Sequence, residues 1–211
     1  MPRFRADLER IPTYDPGKPI DQVSRELGIT EVVKLASNES PQGPFPEVEE
    51  AIASAVADVN RYPETTAYYL AEALAEHHDV AFDEVWVGPG STSILATIAL
   101  STLPGGRSAV FADPSFVMYP IATAIAGGTP VPVPLDGEYR HDPEAMAAAV
   151  REDTSVLYYC NPNNPTGTHT SADAVTRLVA TVPVDVTVVV DEAYFEYVTA
   201  PDHATAIPLA L

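Results

Sequence analysis

The sequence has little of several features that define common classes of protein. It contains one cysteine, Cys160, in 211 residues, so no disulfide can form within the chain. No apolar run approaches the roughly 20 residues that an α-helix needs to cross a bilayer. The first residues include arginines, but no apolar stretch follows them as a secretory signal would require. These absences argue against a secreted or membrane-spanning protein and predict a cytoplasmic one.

Basic side chains are also scarce. The chain has 11 Lys and Arg against 30 Asp and Glu, which gives a net charge of -19, and its lysines are Lys18 and Lys34 alone. Binding to nucleic acid or to an anionic membrane surface requires a basic face, so neither partner is predicted. The acidic residues are spread along the sequence. That distribution suits an ordinary solvated surface and equally an adaptation to high salt.

What the sequence does contain is an ordinary globular composition, 46% hydrophobic and 19% charged. From residue 85 onwards, short apolar runs alternate with helical patterns. Strands are predicted over 85–87, 108–111, 129–133, 156–160 and 186–190. Helices are predicted between them, over 91–103, 115–126, 143–150 and 172–180. This alternation predicts an α/β fold, a mainly parallel sheet with helices on both faces.

The first part of the chain has a different character, with prolines and irregular stretches between helical patterns. Helices are predicted over 19–27, 47–59 and 66–78. Either Thr65 or Thr66 is expected to cap the third of them. We expect residues 1–40 to form an N-terminal arm or part of a small domain, and residues 41–211 to form a large domain.

A glycine-rich turn leads from the first predicted strand into a helix, with the sequence Gly88-Pro89-Gly90-Ser91-Thr92-Ser93. Glycines let the backbone approach a ligand closely, and the start of a helix offers unpaired N–H groups and a positive dipole end. A phosphate would fit there. The same pattern also suits an ordinary capped helix, and the residues alone leave both interpretations open.

Two further motifs follow later strands. One is Asn161-Pro162-Asn163-Asn164-Pro165-Thr166-Gly167-Thr168, and the other is Asp191-Glu192-Ala193-Tyr194. Ligands of open parallel sheets bind beyond the carboxyl ends of the strands. An aspartate at the end of a buried strand needs a partner, and a protonated ring nitrogen of a ligand would be one. An ATPase would require the loop G-x-x-x-x-G-K-[ST], which does not occur in this sequence.

These three loops, in this order, resemble those of fold-type I pyridoxal-phosphate aminotransferases, and in particular the histidinol-phosphate aminotransferase group. Further segments match that group's pattern: 14–20, 34–44, Asn60-Arg61-Tyr62-Pro63 and Asp113-Pro114-Ser115-Phe116-Val117-Met118-Tyr119. The resemblance implies the large domain of those enzymes as the fold and pyridoxal 5'-phosphate as the cofactor. It also implies a homodimer with shared sites, small-molecule amino acid and keto acid substrates, and a place in histidine biosynthesis.

The resemblance assigns a role to each matching position. The implied cofactor-binding set is Gly90, Ser91, Thr92, Phe116, Asn164, Asp191, Tyr194 and Tyr62. Within it, the residues of the glycine-rich turn would hold the cofactor phosphate at the start of the helix. Phe116 would stack on the face of the cofactor ring.

The other members would contact the polar atoms of the cofactor. Asp191 would pair with the pyridine nitrogen and keep it protonated, so that the ring can act as an electron sink. Asn164 and Tyr194 would hydrogen-bond its phenolic oxygen. Tyr62 would reach the phosphate bound by the neighbouring subunit. The implied substrate-binding residues are Tyr14 and Asn38.

The sequence departs from the family pattern at its end. The family's Schiff-base lysine follows the aspartate–tyrosine motif in a serine-rich segment, and no such segment precedes Leu211. We therefore expect a large domain that is incomplete at its C-terminus, no catalytic residue in this chain, and no transamination by it alone. The strand over 186–190 would then lie at a sheet edge, and the strand over 85–87 would lose its bridge to the sheet.

Two classes of function stay open. The first is an aminotransferase that exchanges the amino group between histidinol phosphate and the glutamate/2-oxoglutarate pair, with an aromatic aminotransferase or a threonine-phosphate decarboxylase on the same scaffold as variants. The second is a non-catalytic remnant, or a partner subunit, that binds the cofactor phosphate. The histidines show no metal-ligand spacing with any cysteine pair, so no metal is predicted.

Overall fold

The computed structural model describes Arg5, Glu9, Ile11 and residues 17–210. The chain divides into two compact units, Thr13–Trp86 on the one hand and Met1–Pro12 with Val87–Leu211 on the other. We call them the helical unit and the sheet unit. The predicted division into an arm over 1–40 and a domain over 41–211 stays a prediction.

The helical unit contains three α-helices: α1 (Ile20–Leu27), α2 (Pro46–Ala55) and α3 (Tyr68–His78). All three were predicted, α1 from its flanking proline and glycine and the other two from the spacing of apolar residues. At the end of α1, the Gly28 N–H donates to the Ser24 carbonyl at 2.9 Å. Gly28 has a φ of 66°, which is the left-handed conformation that ends many helices and that glycine adopts without strain.

The predicted cap of α3 was wrong. The helix begins at Tyr68, and neither predicted threonine caps it. The Glu64 carboxylate takes that role, because it accepts hydrogen bonds from the Tyr68 N–H at 3.0 Å and from the Thr66 hydroxyl at 2.7 Å. A carboxylate placed there satisfies an unpaired backbone donor and lies at the positive end of the helix dipole.

The sheet unit alternates helices and strands as predicted. Its helices are α4 (Ser91–Thr102), α5 (Met118–Ala126), α6 (Pro143–Ala148) and α7 (Ala172–Thr181). Its strands are β1 (Ser108–Asp113), β2 (Thr129–Pro134), β3 (Thr154–Cys160) and β4 (Thr187–Asp191). The sheet has the order β2-β1-β3-β4, and each neighbouring pair is parallel.

Successive side chains of a strand point to opposite faces of the sheet, and both faces are covered here. One face carries Ala109 and Phe111 of β1, which lie in one apolar cluster with residues of α4 and α5. The other face carries Val110 and Ala112, which lie in a second cluster with residues of α6 and α7. The predicted fold class, a parallel sheet with helices on both faces, is therefore confirmed.

Local hydrogen bonds set several element boundaries. Helix α5 begins at Met118, three residues later than predicted, and the Ser115 hydroxyl donates instead to the Asn163 side chain at 2.7 Å. Helix α6 begins where predicted, because the Asp142 carboxylate accepts from the Ala145 N–H at 2.9 Å. An aspartate at this position satisfies one of the N–H groups that the first turn leaves without a helical partner.

The strand predicted over 85–87 does not form. Val85 has an extended backbone, yet no strand of the described chain pairs with this segment. An extended segment without a neighbouring ladder makes no strand hydrogen bonds. Within the sheet, β4 pairs with β3 and lies at an edge, as predicted. Within the described part of the chain, no helix is both long and apolar enough to cross a membrane.

Candidate functional site

The carboxyl ends of β1, β3 and β4 bring three polar loops to one edge of the sheet. Cys160 at the end of β3 lies in register with Asp191 at the end of β4. The Asn161 N–H, one residue further on, donates to the Asp191 carbonyl at 3.0 Å. The loops over 113–117, 161–170 and 191–197 therefore start from neighbouring points. This is the edge at which ligands of parallel sheets bind.

A small cleft at this edge is lined by residues from all three loops and from the start of α4. Its lining residues are Ser91, Phe116, Cys160, Asn164, Asp191, Ala193 and Tyr194. Five of them belong to the cofactor-binding set that the sequence predicted, although they lie up to 103 positions apart along the chain. Larger grooves occur on the surface of the sheet unit, but the predicted site residues do not line them.

The start of α4 requires glycine at two positions. Gly90 precedes the helix with a φ of 84°, a conformation in which other residues are strained. A Cβ at Gly88 would lie 2.8 Å from the Ile94 side chain, so this position has no room for one. The first turn that follows, Ser91 and Thr92, has backbone N–H groups without helical partners and carries no acidic residue. This end of α4 can therefore receive an anion.

Asp191 has its side chain fixed by two donors. The Tyr119 hydroxyl donates to Oδ2 at 2.9 Å, and the Ala193 N–H donates to Oδ1 at 3.2 Å. This confirms the expectation that an aspartate at the end of an apolar strand needs hydrogen-bond partners. No role for Tyr119 was predicted from the sequence. The feature that could have indicated one is its position three residues after Phe116, because residues three apart in a helical turn lie on the same side.

The loops that carry Phe116 and Asn164 are tied together by Asn163, which is 2% exposed. Its Oδ1 accepts from the Ser115 hydroxyl at 2.7 Å. Its Nδ2 donates to the Pro114 carbonyl at 3.2 Å and to the Thr166 hydroxyl at 2.9 Å. The sequence pattern of a tight loop did not reveal this role, because two of the three partners belong to another loop, 48 and 49 residues away.

Cys160 also lines the cleft but is suited to packing. It is buried, and its Sγ lies 3.4 Å from the Pro162 carbonyl as a weak donor. Burial raises the pKa of the thiol, which keeps it in its less reactive protonated form. The prediction that Cys160 is a packed rather than a reactive cysteine agrees with this environment.

The remaining predicted site residues belong to the helical unit or lie outside the described residues. Tyr62 is fully exposed at 101%, and Asn38 is exposed with a φ of 50°. Tyr14 lies outside the described residues. The roles of these three residues stay predictions. Over the described residues, no group of three or more histidine, cysteine or acidic side chains is arranged to hold a metal ion.

The fold and this site together define a class, that of parallel-sheet proteins with a ligand cleft beyond the strand ends. The chain matches the family model for aminotransferase class I and II over residues 30–210. It therefore belongs to the aminotransferase class I and II family.

Individual relatives agree with this assignment. The chain is 45% identical over 196 residues to an aromatic amino acid aminotransferase of Rhodococcus jostii, covering 93% of this chain and 52% of the relative. It is 42% identical over 207 residues to a histidinol-phosphate aminotransferase of Moorella thermoacetica, covering 98% and 53%. The chain thus spans about half the length of the curated relatives it matches.

A solved structure shares the fold. The histidinol-phosphate aminotransferase of Sinorhizobium meliloti, crystallised in complex with pyridoxal-5'-phosphate, aligns with a TM-score of 0.87 at 29% identity. The alignment covers 99% of this chain and 55% of that one. The parallel sheet and its two helical layers are therefore those of a known aminotransferase fold.

Proposed function

We propose that this chain forms the cofactor-binding part of a pyridoxal-phosphate-dependent aminotransferase that acts on histidinol phosphate with glutamate and 2-oxoglutarate as the other substrate pair. The observation that carries the proposal is the convergence of Ser91, Phe116, Asn164, Asp191 and Tyr194 on one cleft. An aromatic ring, a carboxylate, an amide, a phenol and the start of a helix are brought together from four separate segments.

The chemistry of these groups fits pyridoxal 5'-phosphate. The start of α4 with its Gly90 turn suits the phosphate, since it offers unpaired N–H groups and no acidic side chain. The Asp191 carboxylate suits a protonated pyridine nitrogen. Asn164 and Tyr194 suit the phenolic oxygen, and Phe116 suits the ring face. The phosphate, the ring nitrogen and the phenolic oxygen of the cofactor thus each have a partner of complementary chemistry in or beside the cleft.

When bound, pyridoxal phosphate supplies an electron sink that stabilises negative charge at the substrate Cα. The residues of this chain hold and tune that sink. Asp191 holds a proton at the ring nitrogen, because a negative charge close to a cationic ring favours its protonated form. The hydrogen bonds of Asn163 keep Phe116 and Asn164 in place. Binding of the cofactor therefore costs little conformational entropy in these loops.

The assembly and location that the resemblance implies are part of the same proposal. We propose a homodimer in the cytoplasm, in which Tyr62 of one chain reaches the cofactor phosphate held by the other. The full exposure of Tyr62 in the isolated chain supports a role at such a shared site. Exposed tyrosines are well suited to interfaces, because the ring is apolar and the hydroxyl is polar.

An aromatic amino acid is the second candidate for the substrate. A relative with that name is 45% identical over 196 residues, against 42% over 207 for one named for histidinol phosphate. The two activities separate in an assay of the protein purified from its native source. Histidinol phosphate should give the higher kcat/KM, and a higher value with phenylalanine would move the assignment to the aromatic group.

A titration with pyridoxal 5'-phosphate tests the cofactor assignment. We expect saturable binding with one site per chain, and binding of pyridoxal, which lacks the phosphate, about tenfold or more weaker. The Asp191→Asn variant should also weaken binding about tenfold, whereas Asp185→Asn, in the exposed turn that precedes the same strand, should not. The absence of saturable binding by the unmodified chain would overturn the proposal.

Chemical reduction of the protein with the cofactor bound separates an enzyme from a non-catalytic remnant. Borohydride reduction followed by mass spectrometry detects a covalent lysine adduct of the cofactor. An adduct in protein from the native source supports the aminotransferase. Binding without any adduct in that protein supports the remnant or partner-subunit alternative.

A further inference from the structure

Tyr119 reaches the candidate site from beneath it, although it does not line the cleft. It lies in the first turn of α5 and is fully buried. Its hydroxyl donates to Oδ2 of Asp191 at 2.9 Å. The other carboxylate oxygen, Oδ1, accepts from the Ala193 N–H at 3.2 Å. The orientation of the carboxylate is therefore set by one side chain and one backbone group.

The core holds the Tyr119 ring in place. The ring stacks on that of Tyr158 with 5.0 Å between centroids and an angle of 10° between planes. It also meets Phe116 edge to face, at 5.8 Å and 89°. Because protein cores are close-packed, the ring cannot turn without moving these neighbours. The hydroxyl is thus held at the Asp191 carboxylate even before any ligand binds.

The protonation state of Tyr119 suits a permanent donor. Burial raises the pKa of its phenol far above the ordinary value, and the neighbouring Cys160 and Asp191 act in the same direction. The phenol therefore stays neutral and can donate to the carboxylate at any pH at which the protein works. Tyr194 and Cys160 are the other titratable groups that line the cleft with Asp191.

We propose that Tyr119 is a positioning residue for cofactor binding. It holds the Asp191 carboxylate in one orientation, so that the carboxylate retains a proton on the ring nitrogen of a pyridine cofactor. A negative charge held close to a ring nitrogen favours the protonated form of that nitrogen. The inference rests on the proposed function, since it assumes that a pyridine ring occupies the cleft.

The Tyr119→Phe variant tests the proposal, and Tyr158→Phe is its matched control. Both remove one buried hydroxyl from the same ring pair. The Tyr158 hydroxyl, however, has no hydrogen-bond partner in the described part of the chain. Both variants keep the stacked rings, so their melting temperatures should remain close to one another. Only Tyr119→Phe removes a donor from Asp191.

The measurement is the absorbance of bound pyridoxal 5'-phosphate as a function of pH, together with its Kd. In Tyr119→Phe we expect the midpoint of the ring titration to fall by about one pH unit and the Kd to rise about tenfold. The shift is downward because a carboxylate that is no longer held by Tyr119 can turn away from the ring nitrogen and then stabilises its proton less. Tyr158→Phe should match the unmodified chain in both quantities.

Three other outcomes would contradict either the role of Tyr119 or the proposed function on which it rests. If the unmodified chain does not bind the cofactor, the proposed function fails and not merely the role of Tyr119. If the unmodified chain binds and the two variants titrate alike, Tyr119 has no positioning role. If Tyr119→Phe does not fold while Tyr158→Phe does, the hydroxyl serves the fold rather than the cofactor, and the proposal is wrong.

Discussion

The two units of the chain bury their apolar side chains to very different extents. In the sheet unit, residues such as Val110 and Leu157 are fully buried in clusters on the two faces of the sheet. In the helical unit, α1 and α2 contain no buried residue, and the apolar residues Val48, Ile52 and Val56 are all exposed. A sheet covered by helices on both faces builds a large core, whereas the described residues of the helical unit bury only the small side chains of Ala71 and Ala75 in α3.

This difference teaches that helical periodicity and burial are separate properties. The apolar spacing of α2 correctly predicted a helix, yet the spacing did not ensure that its apolar face is covered within the unit. Predicted effects of substitution should therefore differ sharply between the units, even for the same change of residue. The following predictions test that contrast, from the largest expected effect to the smallest.

The largest contrast is expected for truncation of an aliphatic side chain. Leu157→Ala removes a fully buried side chain from the centre of the sheet and should lower the free energy of unfolding by about 3 kcal/mol. Ile52→Ala, at a position that is 59% exposed, should cost less than about 1 kcal/mol. Urea denaturation of both variants measures the difference. A cost for Ile52→Ala as large as that for Leu157→Ala would show that α2 is covered in solution.

A smaller contrast is expected for asparagines. Asn163→Ala removes a buried side chain that makes two hydrogen bonds to another loop and one within its own loop. It should cost about 2 kcal/mol, because its partners lose their acceptor or donor. It should also weaken binding of pyridoxal 5'-phosphate. Asn60→Ala, at an exposed position of the helical unit, is the control and should leave both quantities nearly unchanged. Equal effects of the two substitutions would contradict the interloop role of Asn163.

A pH-dependent contrast is expected for histidines. Burial lowers the pKa of His141 from 6.5 to about 4. The unfolded chain therefore binds this proton first, and the stability that neutral His141 contributes is present above pH 6.5 and is lost as the pH falls towards 4. Between pH 8 and pH 5 the loss should be about 2 kcal/mol.

The His141→Phe variant, which keeps a ring against Tyr159, should lack this part of the pH dependence. His78→Phe, at an exposed position of α3, is the control and should follow the unmodified chain. Urea denaturation at a series of pH values provides the comparison. A profile for His141→Phe identical to that of the unmodified chain would show that another group causes the loss in acid.

The smallest effect concerns both units together. With a net charge of -19, the folded chain repels itself, and salt should screen that repulsion. We expect the Tm to rise by about 5 °C between about 0.1 M and about 2 M KCl. A non-ionic osmolyte at equal osmolality is the control. A Tm that does not change with salt would remove the argument for adaptation to high salt and leave an ordinary acidic surface.

Much of the sheet unit could be predicted from the sequence, because local patterns determine it. Short apolar runs predicted β1 to β4, and turn residues predicted the three loops at their carboxyl ends. Asp191 was singled out correctly as a residue in need of a partner. One failure has a non-local cause. The strand over 85–87 was predicted from its own residues, but a strand forms only beside another strand.

The candidate site shows the same limit. The motifs, through the family pattern that they resemble, predicted Phe116, Asn164 and Asp191 as site residues, because each stands in a recognisable local segment. They did not identify Tyr119 or Asn163 as the residues that hold those groups. Both act through partners that are distant in the sequence. Tyr119 and Asp191, for example, are separated by 72 positions. Only the tertiary structure reveals such pairs.

By itself, then, the sequence determined the alternation of strands and helices, the parallel sheet, and the loops that bear polar residues. These follow from hydrophobic periodicity and from the backbone preferences of glycine, proline and asparagine, which act over a few residues. The tertiary structure decided which side chains meet: the phenol of Tyr119 with the carboxylate of Asp191, and the amide of Asn163 with the loop before Phe116. It also decided that one unit has a core and the other exposes its apolar face. Those outcomes depend on strand order and close packing, which bring distant residues together and which no local pattern encodes.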